Sequence, residues 1–183
     1  PFIGLVVSGG HTALFHCKDV GDQRLLGQTQ DDAVGEAYDK VAKILGLGYP
    51  GGPVIEKMAA LWRGAGGPSF PRTYLGKDSL DFSFSGIKTA VLYHVRKRPG
   101  LDGEEARGIC RAFQEAVLDV IAEKAVMAAR MNGVNGIVAG GGVAINSRIR
   151  EKVSALAAIS GIRTYFPERR FCLDNAAMVG ALG

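Results

Sequence analysis

Residues 136–167 read GIVAGGGVAINSRIREKVSALAAISGIRTYFP, and this stretch constrains the fold more than any other. A short β-branched, apolar run is followed by three glycines, then by a helical pattern, then by a second strand-like run, RTYFP. Strand, helix and strand at this spacing form a βαβ unit, which requires parallel pairing and a right-handed crossover. The pattern predicts a strand over Ile137–Ala139, a helix over Ala144–Ala157 and a second strand near Tyr165, parallel to the first. The glycines need their own reason, because glycine loses more backbone entropy on folding than any other residue. Gly140, Gly141 and Gly142 either make a turn with positive φ or let a ligand touch the backbone beside a helix N-terminus. The carboxyl edge of a parallel sheet is where ligands of α/β proteins bind.

The remainder of the chain supplies partners for this unit. FIGLVVS reads as a buried strand, and TALFHCKDV alternates as its hairpin partner across Gly9-Gly10. DDAVGEAYDKVAKILG carries a helical stripe of Val34, Ala37, Tyr38, Val41 and Leu45, with an Asp cap and Gly46 as terminator. YPGGPVIEKMAALW begins a second helix with Pro53 in its first turn, and Arg63 to Ser83 reads as loop. SGIKTAVLYHVRKR is a third helix, with Ile87, Val91 and Val95 on one face. The longest helix falls within Glu104–Asn132, striped by Ile109, Phe113, Val117, Val120 and Ile121. No internal repeat or low-complexity segment is visible.

Composition sets the outer bounds. At 47% hydrophobic and 22% charged residues, the chain reads as a folded, soluble protein. Lys+Arg 22 against Asp+Glu 18 leaves a net charge of +4, compatible with a nucleic-acid partner and with many others. Cys17, Cys110 and Cys172 form no CxxC pair, so a reducing, cytoplasmic setting is expected. The longest uncharged run, residues 131–147, holds five glycines and three asparagines and is a poor membrane span. The chain opens on Pro1 directly before a strand and closes within DNAAMVGALG, as expected of a piece of a longer protein.

Several motifs carry chemistry against a plainer account. VSGGHT, Val7 to Thr12, can wrap phosphate oxygens in amides and a hydroxyl, or can be an ordinary tight hairpin. Asn146 can cap a helix or hydrogen-bond a base or ribose, and Asp174 reads first as the N-cap of the last helix. Asp39 lies off the apolar stripe and reads by itself as a solvated acid. DFSFSGIKTA sets two serines between phenylalanines ahead of a helix that Ser85 can cap. Only His11, His16 and His94 exist, with no pair at metal-binding spacing.

In this order, VSGGHT, DDAVGEAYDKVAKILGLGYPGGP, DFSFSGIKTA, AGGGVAIN and FCLDNAAMVG resemble the bacterial transferase subunit of tRNA threonylcarbamoyladenosine synthase, a family formerly called O-sialoglycoprotein endopeptidase. The resemblance runs nearly the whole length of the chain. It implies an α/β fold of the actin-like ATPase, sugar-kinase and Hsp70 type, with two lobes around a nucleotide cleft. Residues 1–173 would be mostly the second lobe, with a helical insertion at about 31–132, and 174–183 would begin the segment returning to the first lobe. The substrate-binding set carried over is Val6, Val7, Ser8, Gly9, Gly10, Asp39, Gly52 (in the YPGGP turn) and Asn146, with Asp174 as a metal ligand.

The implied reaction moves a threonylcarbamoyl group from threonylcarbamoyl-AMP to the adenine amine beside the anticodon, in tRNAs that read codons beginning with A. The implied partners are tRNA, a homologous dimerisation partner and a small ATPase; the implied cofactor is a divalent metal ion, iron ahead of zinc. No protein nucleophile is required. The family's HxxxH ligand pair lies upstream of VVSGG and is not in this chain, so the intact protein is expected to be the enzyme and these 183 residues alone inactive. Two rivals stay open: an ATP-dependent small-molecule kinase of the same superfamily and a non-catalytic nucleotide-binding scaffold. A metallopeptidase ranks last, for want of an HExxH-like element.

Overall fold

The computed structural model describes residues 1–98, 100–173, 175, 176 and 180. Five strands form one sheet: β1 (Phe2–Val7), β2 (Thr12–Asp19), β3 (Asp22–Gln28), β4 (Gly136–Gly140) and β5 (Arg163–Tyr165), in the order β3-β2-β1-β4-β5. β1 and β2 form the expected antiparallel hairpin, and β1, β4 and β5 run parallel. The predicted parallel pairing is present, with Ile137 opposite Thr164 and Val138 opposite Tyr165. β1 alternates, burying Ile3, Leu5 and Val7 on one face, as a half-covered strand must.

β3 was not expected from the sequence. Its residues DQRLLGQ show no alternation because it is an edge strand, exposed over its first four residues and held to β2 by backbone pairing. Gly27 passes under the loop after Ser79: a Cβ there would lie 2.4 Å from the carbonyl of Leu80. Lys124, buried on the long helix, donates to the carbonyls of Ser79 and Asp81, with its ammonium 5.5 Å from the Phe82 ring centroid. Burial presses its pKa down, and the two carbonyls accept two of its protons.

The helices are α1 (Val34–Ile44), α2 (Gly51–Leu61), α3 (Ser85–Arg96), α4 (Gly103–Met131) and α5 (Ser147–Ile159). Among the described residues, 62–84 contain no helix or named strand, as the Gly- and Pro-rich composition implies. α1 ends as read: Gly46 takes φ 68, its N–H donates to Lys43 O and that of Leu47 to Ala42 O, a Schellman closure. Its start differs. Neither Asp31 nor Asp32 caps it; the N-cap is Ala33, and the Val34 N–H donates to Thr12 Oγ1. Both aspartates turn instead toward α3. Likewise Ser85 does not cap α3 with its side chain; the Asp31 carboxylate accepts the Phe84 and Ser85 amides from outside. α5 begins at Ser147, after a 3-10 turn over Gly142–Ile145, because Asn146 supplies the cap.

α4 packs against β1 and β4 and also touches α2, α3 and α5, so it is the spine of a single continuous core. Its start is secured by a capping box between Asp102 and Glu105. Tyr38 and Phe113 meet edge to face at 5.1 Å, both buried. Trp62, at the C-cap of α2, is packed by glycines: Cβ atoms at Gly64, Gly67 and Gly108 would lie 2.9, 3.1 and 3.2 Å from its indole.

Between α4 and α5 lies an ionic seam. Arg148 is bidentate to Glu115 at 2.8 and 3.0 Å, Lys152 bridges Glu115 and Asp119, and Arg72 reaches Asp119 at 2.7 Å. Burial raises the Glu115 pKa, but the hydrogen bonds from Arg148 and Lys152 outweigh it and hold the carboxyl at about 2, against an ordinary 4.5. A depressed folded-state pKa contributes stability that is present above the unfolded value and lost as pH falls through the folded one. Unfolding stability should therefore fall between about pH 4.5 and 2, and Glu115→Gln should flatten that slope while lowering stability at pH 7. Urea midpoints across this range check both.

Candidate functional site

The parallel pairing of β1 with β4 sets the site. Val6 lies opposite Gly140, so the two strands end at one level and their glycine turns emerge side by side at the carboxyl edge. In the first turn, the Ser8 N–H donates to His11 O at 2.8 Å and the His11 N–H to Ser8 Oγ at 3.0 Å. In the second, Gly141 has φ 96 and presses against β1, where a Cβ would lie 2.4 Å from the Val7 carbonyl oxygen. A left-handed backbone in close contact admits no other residue without strain.

Gly141 thus answers to the fold. Gly9, Gly10, Gly140 and Gly52 do not: none has positive φ, and a Cβ at each would meet nothing within 4 Å. The amides of Gly9 and Gly10 have no hydrogen-bond partner among the described residues. The first two amides of α1, by contrast, are taken by the protein, Val34 by Thr12 Oγ1 and Gly35 by Ser8 O at 3.1 Å. The open donors are those of the turn rather than of the helix.

α2 starts on α1. The Gly51 N–H donates to Asp39 Oδ1 at 2.7 Å, and a Cβ on Gly51 would lie 2.6 Å from the Asp39 Cα. Gly52 lies in the first turn of α2, not in a loop turn before it. Asp39 also lines an open groove of about 580 Å³ that continues past Lys43 to Tyr49. Asn146 performs its cap role: Oδ1 accepts the Arg148 and Ile149 amides, and Nδ2 donates to the buried Gln114 at 3.1 Å.

Sequence reasoning missed two residues here. Glu56, one helical turn beyond Gly52, accepts the Ser147 N–H at 2.7 Å and ties α2 to the start of α5; its spacing from Gly52 was the available signal. Gln114 sits within the apolar stripe of α4, and nothing in its neighbours marks it. The Tyr38 hydroxyl is buried with no hydrogen-bond partner among the described residues, and burial, then the charges of Glu56 and Glu115, push its pKa well up, so it stays a phenol.

Val6, Val7, Ser8, Gly9 and Gly10 are thus one turn, Asn146 follows the adjacent turn, and Asp39 and Gly52 stand at the α1–α2 junction. Asp174 lies outside the described residues. Among the described residues no three of His, Cys, Asp and Glu converge to hold a metal ion. The described residues do not form a metal site by themselves. Among the described residues no helix is long and apolar enough to cross a membrane.

Solved structures share the fold. Full-length HypF in its phosphate- and nucleotide-bound form aligns with a TM-score of 0.67 at 13% identity, over 92% of this chain and 30% of that one. HypF of T. kodakarensis aligns at TM-score 0.58 and 18% identity, over 80% of this chain and 18% of that one. These support a mixed α/β fold built on a five-strand sheet. Among curated relatives, the tRNA N6-adenosine threonylcarbamoyltransferase of Geobacter metallireducens is 49% identical, and that of Syntrophotalea carbinolica 46%, each over the whole of this chain and 54% of its own length. The chain spans about half the length of the curated relatives it matches. Residues 1–181 match the family described as tRNA N6-adenosine threonylcarbamoyltransferase, and the chain belongs to that family.

Proposed function

We propose that this chain carries the nucleotide-binding part of a tRNA threonylcarbamoyltransferase, in which the Ser8–Gly10 turn receives the phosphate of threonylcarbamoyl-AMP. The observation that carries this reading is the exposed backbone of Gly9 and Gly10, whose amides have no partner among the described residues and whose glycine identity answers to no packing contact. Asp39 meets the ligand hydroxyls with the oxygen not given to Gly51. Val6 and Val7 form the floor, and Gly52 and Asn146 the far wall.

In the reaction, the adenine amine of tRNA attacks the carbamoyl carbon, the bond to the phosphate oxygen breaks, and AMP leaves with the electron pair. The amine proton passes to solvent or to the leaving phosphate. Amide dipoles at Gly9 and Gly10 favour the charge gathering on that phosphate, the usual service of preorganised donors. No nucleophile from the chain takes part.

The further partners belong to the longer protein in this reading: tRNA, a homologous dimerisation subunit, a small ATPase and one divalent metal, iron or zinc, to which this chain adds Asp174. So do the cytoplasmic location and the division into a second lobe, residues 1–173 with a helical insertion at about 31–132, and a returning segment from 174.

Two sets of variants test the site. Gly9→Ala and Gly10→Ala should change unfolding free energy by no more than ~1 kcal/mol, as expected where the native backbone is open to alanine. They should nevertheless lower affinity for a non-hydrolysable adenylate analogue about tenfold or more by covering the amides. Gly141→Ala should instead destabilise by roughly 2 kcal/mol or more. Unchanged affinity in both Gly9 and Gly10 variants, read by titration calorimetry, removes the turn from the site.

Asp39→Ala and Asn146→Ala should each weaken analogue binding by ~0.5–1.5 kcal/mol. Asn146→Ala should also lose about 1 kcal/mol of stability with its helix cap. Paired calorimetric and urea titrations separate the two effects.

A further inference from the structure

DDAVGEAYDK and DFSFSGIKTA lie fifty residues apart in the sequence, and neither aspartate at the head of the first has a part in the site above. The structure bonds the two motifs to each other. Asp31 Oδ2 accepts the hydroxyls of Ser83 at 2.5 Å and Ser85 at 2.7 Å, and its Oδ1 accepts the Phe84 and Ser85 amides at 2.8 and 3.3 Å. Asp32 accepts Lys40 of α1 at 2.6 Å and Lys88 of α3 at 2.7 Å. Its side chain is only 13% exposed, so these pairs are shielded more than surface pairs are. The same segment is bonded on its other side to the glycine turn. Thr29 donates to Thr12 O, Val34 to Thr12 Oγ1 and Gly35 to Ser8 O, and Gly35 touches Gly9 so closely that a Cβ would lie 2.8 Å from its Cα.

We infer that Asp31 and Asp32 are positioning residues: anchored on the serines and lysine of the α3 start, they hold segment 29–35 against the Ser8–His11 turn and so fix the orientation of its open amides. Residues 29–35 have bonds on two sides, and, besides its own Ser8–His11 bonds and the β1–β2 pairing at its base, the turn is met among the described residues by this segment and by Gly141. Releasing the α3 side leaves the core beneath α4 intact and frees the turn. The consequence for ligand binding rests on the reading in the preceding section; the consequence for the turn itself does not.

Native-state hydrogen exchange on the 183-residue chain tests the clamp. Lys88→Gln and the double variant Ser83→Ala/Ser85→Ala each remove one part of the anchor, and Lys88→Arg keeps the charge and the reach. The amides of Ser8, Val34 and Gly35 should exchange about tenfold faster in the first two variants, a local opening, with Phe113 and Val117 of α4 unchanged. Lys88→Arg should restore wild-type rates. Unchanged exchange at Ser8 and Gly35, or an equal rise in α4, overturns the clamp. Titration with AMP provides the second arm. A wild-type chain that binds AMP should bind it several-fold more weakly with Lys88→Gln. A wild-type chain that binds none counts against the phosphate turn, while the clamp is decided by exchange alone.

Discussion

The contact between Gly141 and the Val7 carbonyl is the constraint on which the rest of the site depends. β1 and β4 pair in parallel, so both chains must leave the sheet in the same direction, and two turns compete for one volume. The conflict is resolved by a residue without a side chain in a left-handed conformation, with 2.4 Å between its missing Cβ and the Val7 oxygen. With that residue in place, the Ser8–His11 turn can lie flush against the second turn and keep its outer face bare. The order of the strands, the position of α5 and the direction of Asn146 all follow from this pairing.

A second layer of organisation joins the helix starts. α1 begins on Thr12 and Ser8, α2 on Asp39 of α1, α3 on Asp31, and α5 on Asn146 and Glu56 of α2. At each of these N-termini at least one early amide is satisfied by a group from a neighbouring element, as crowded helix ends require. No one of these helices is set independently of the next, and what lies near the sheet edge is a chain of caps closing back on the glycine turn. The ionic seam between α4 and α5 ties the helices together on another side, with Glu115 meeting three cations and Asp119 two.

Much of this was legible from the residues. The βαβ unit, the hairpin and the helical stripes follow from periodicity, which reports burial directly; Ile109, Phe113 and Val117 are all buried where their spacing placed them. β3 was illegible because an exposed edge strand is specified by its neighbour's backbone and leaves no pattern in its own side chains. Asp31, Asp32 and Ser85 were misread for a related reason. Local rules assign a cap to the nearest polar residue, whereas the structure assigns it across fifty residues of sequence. At the site, the positions of the glycine turns and Asn146 were readable, but which glycine serves packing and which stays open is a matter of contacts. Glu56 and Gln114 became visible only through their partners.

The arrangement around Trp62 has an experimental consequence. It is the single tryptophan of the chain, and it terminates the helix whose other end rests on Asp39. Three glycines leave its indole half-buried against α4 and the 64–67 loop. Its emission is therefore a native optical gauge, installed by the sequence, of how α2 sits on α4. A shift in wavelength on adding a nucleotide would register a displacement of that helix without any label. Five tyrosines elsewhere would contribute little when excitation is confined to the red edge of the indole band.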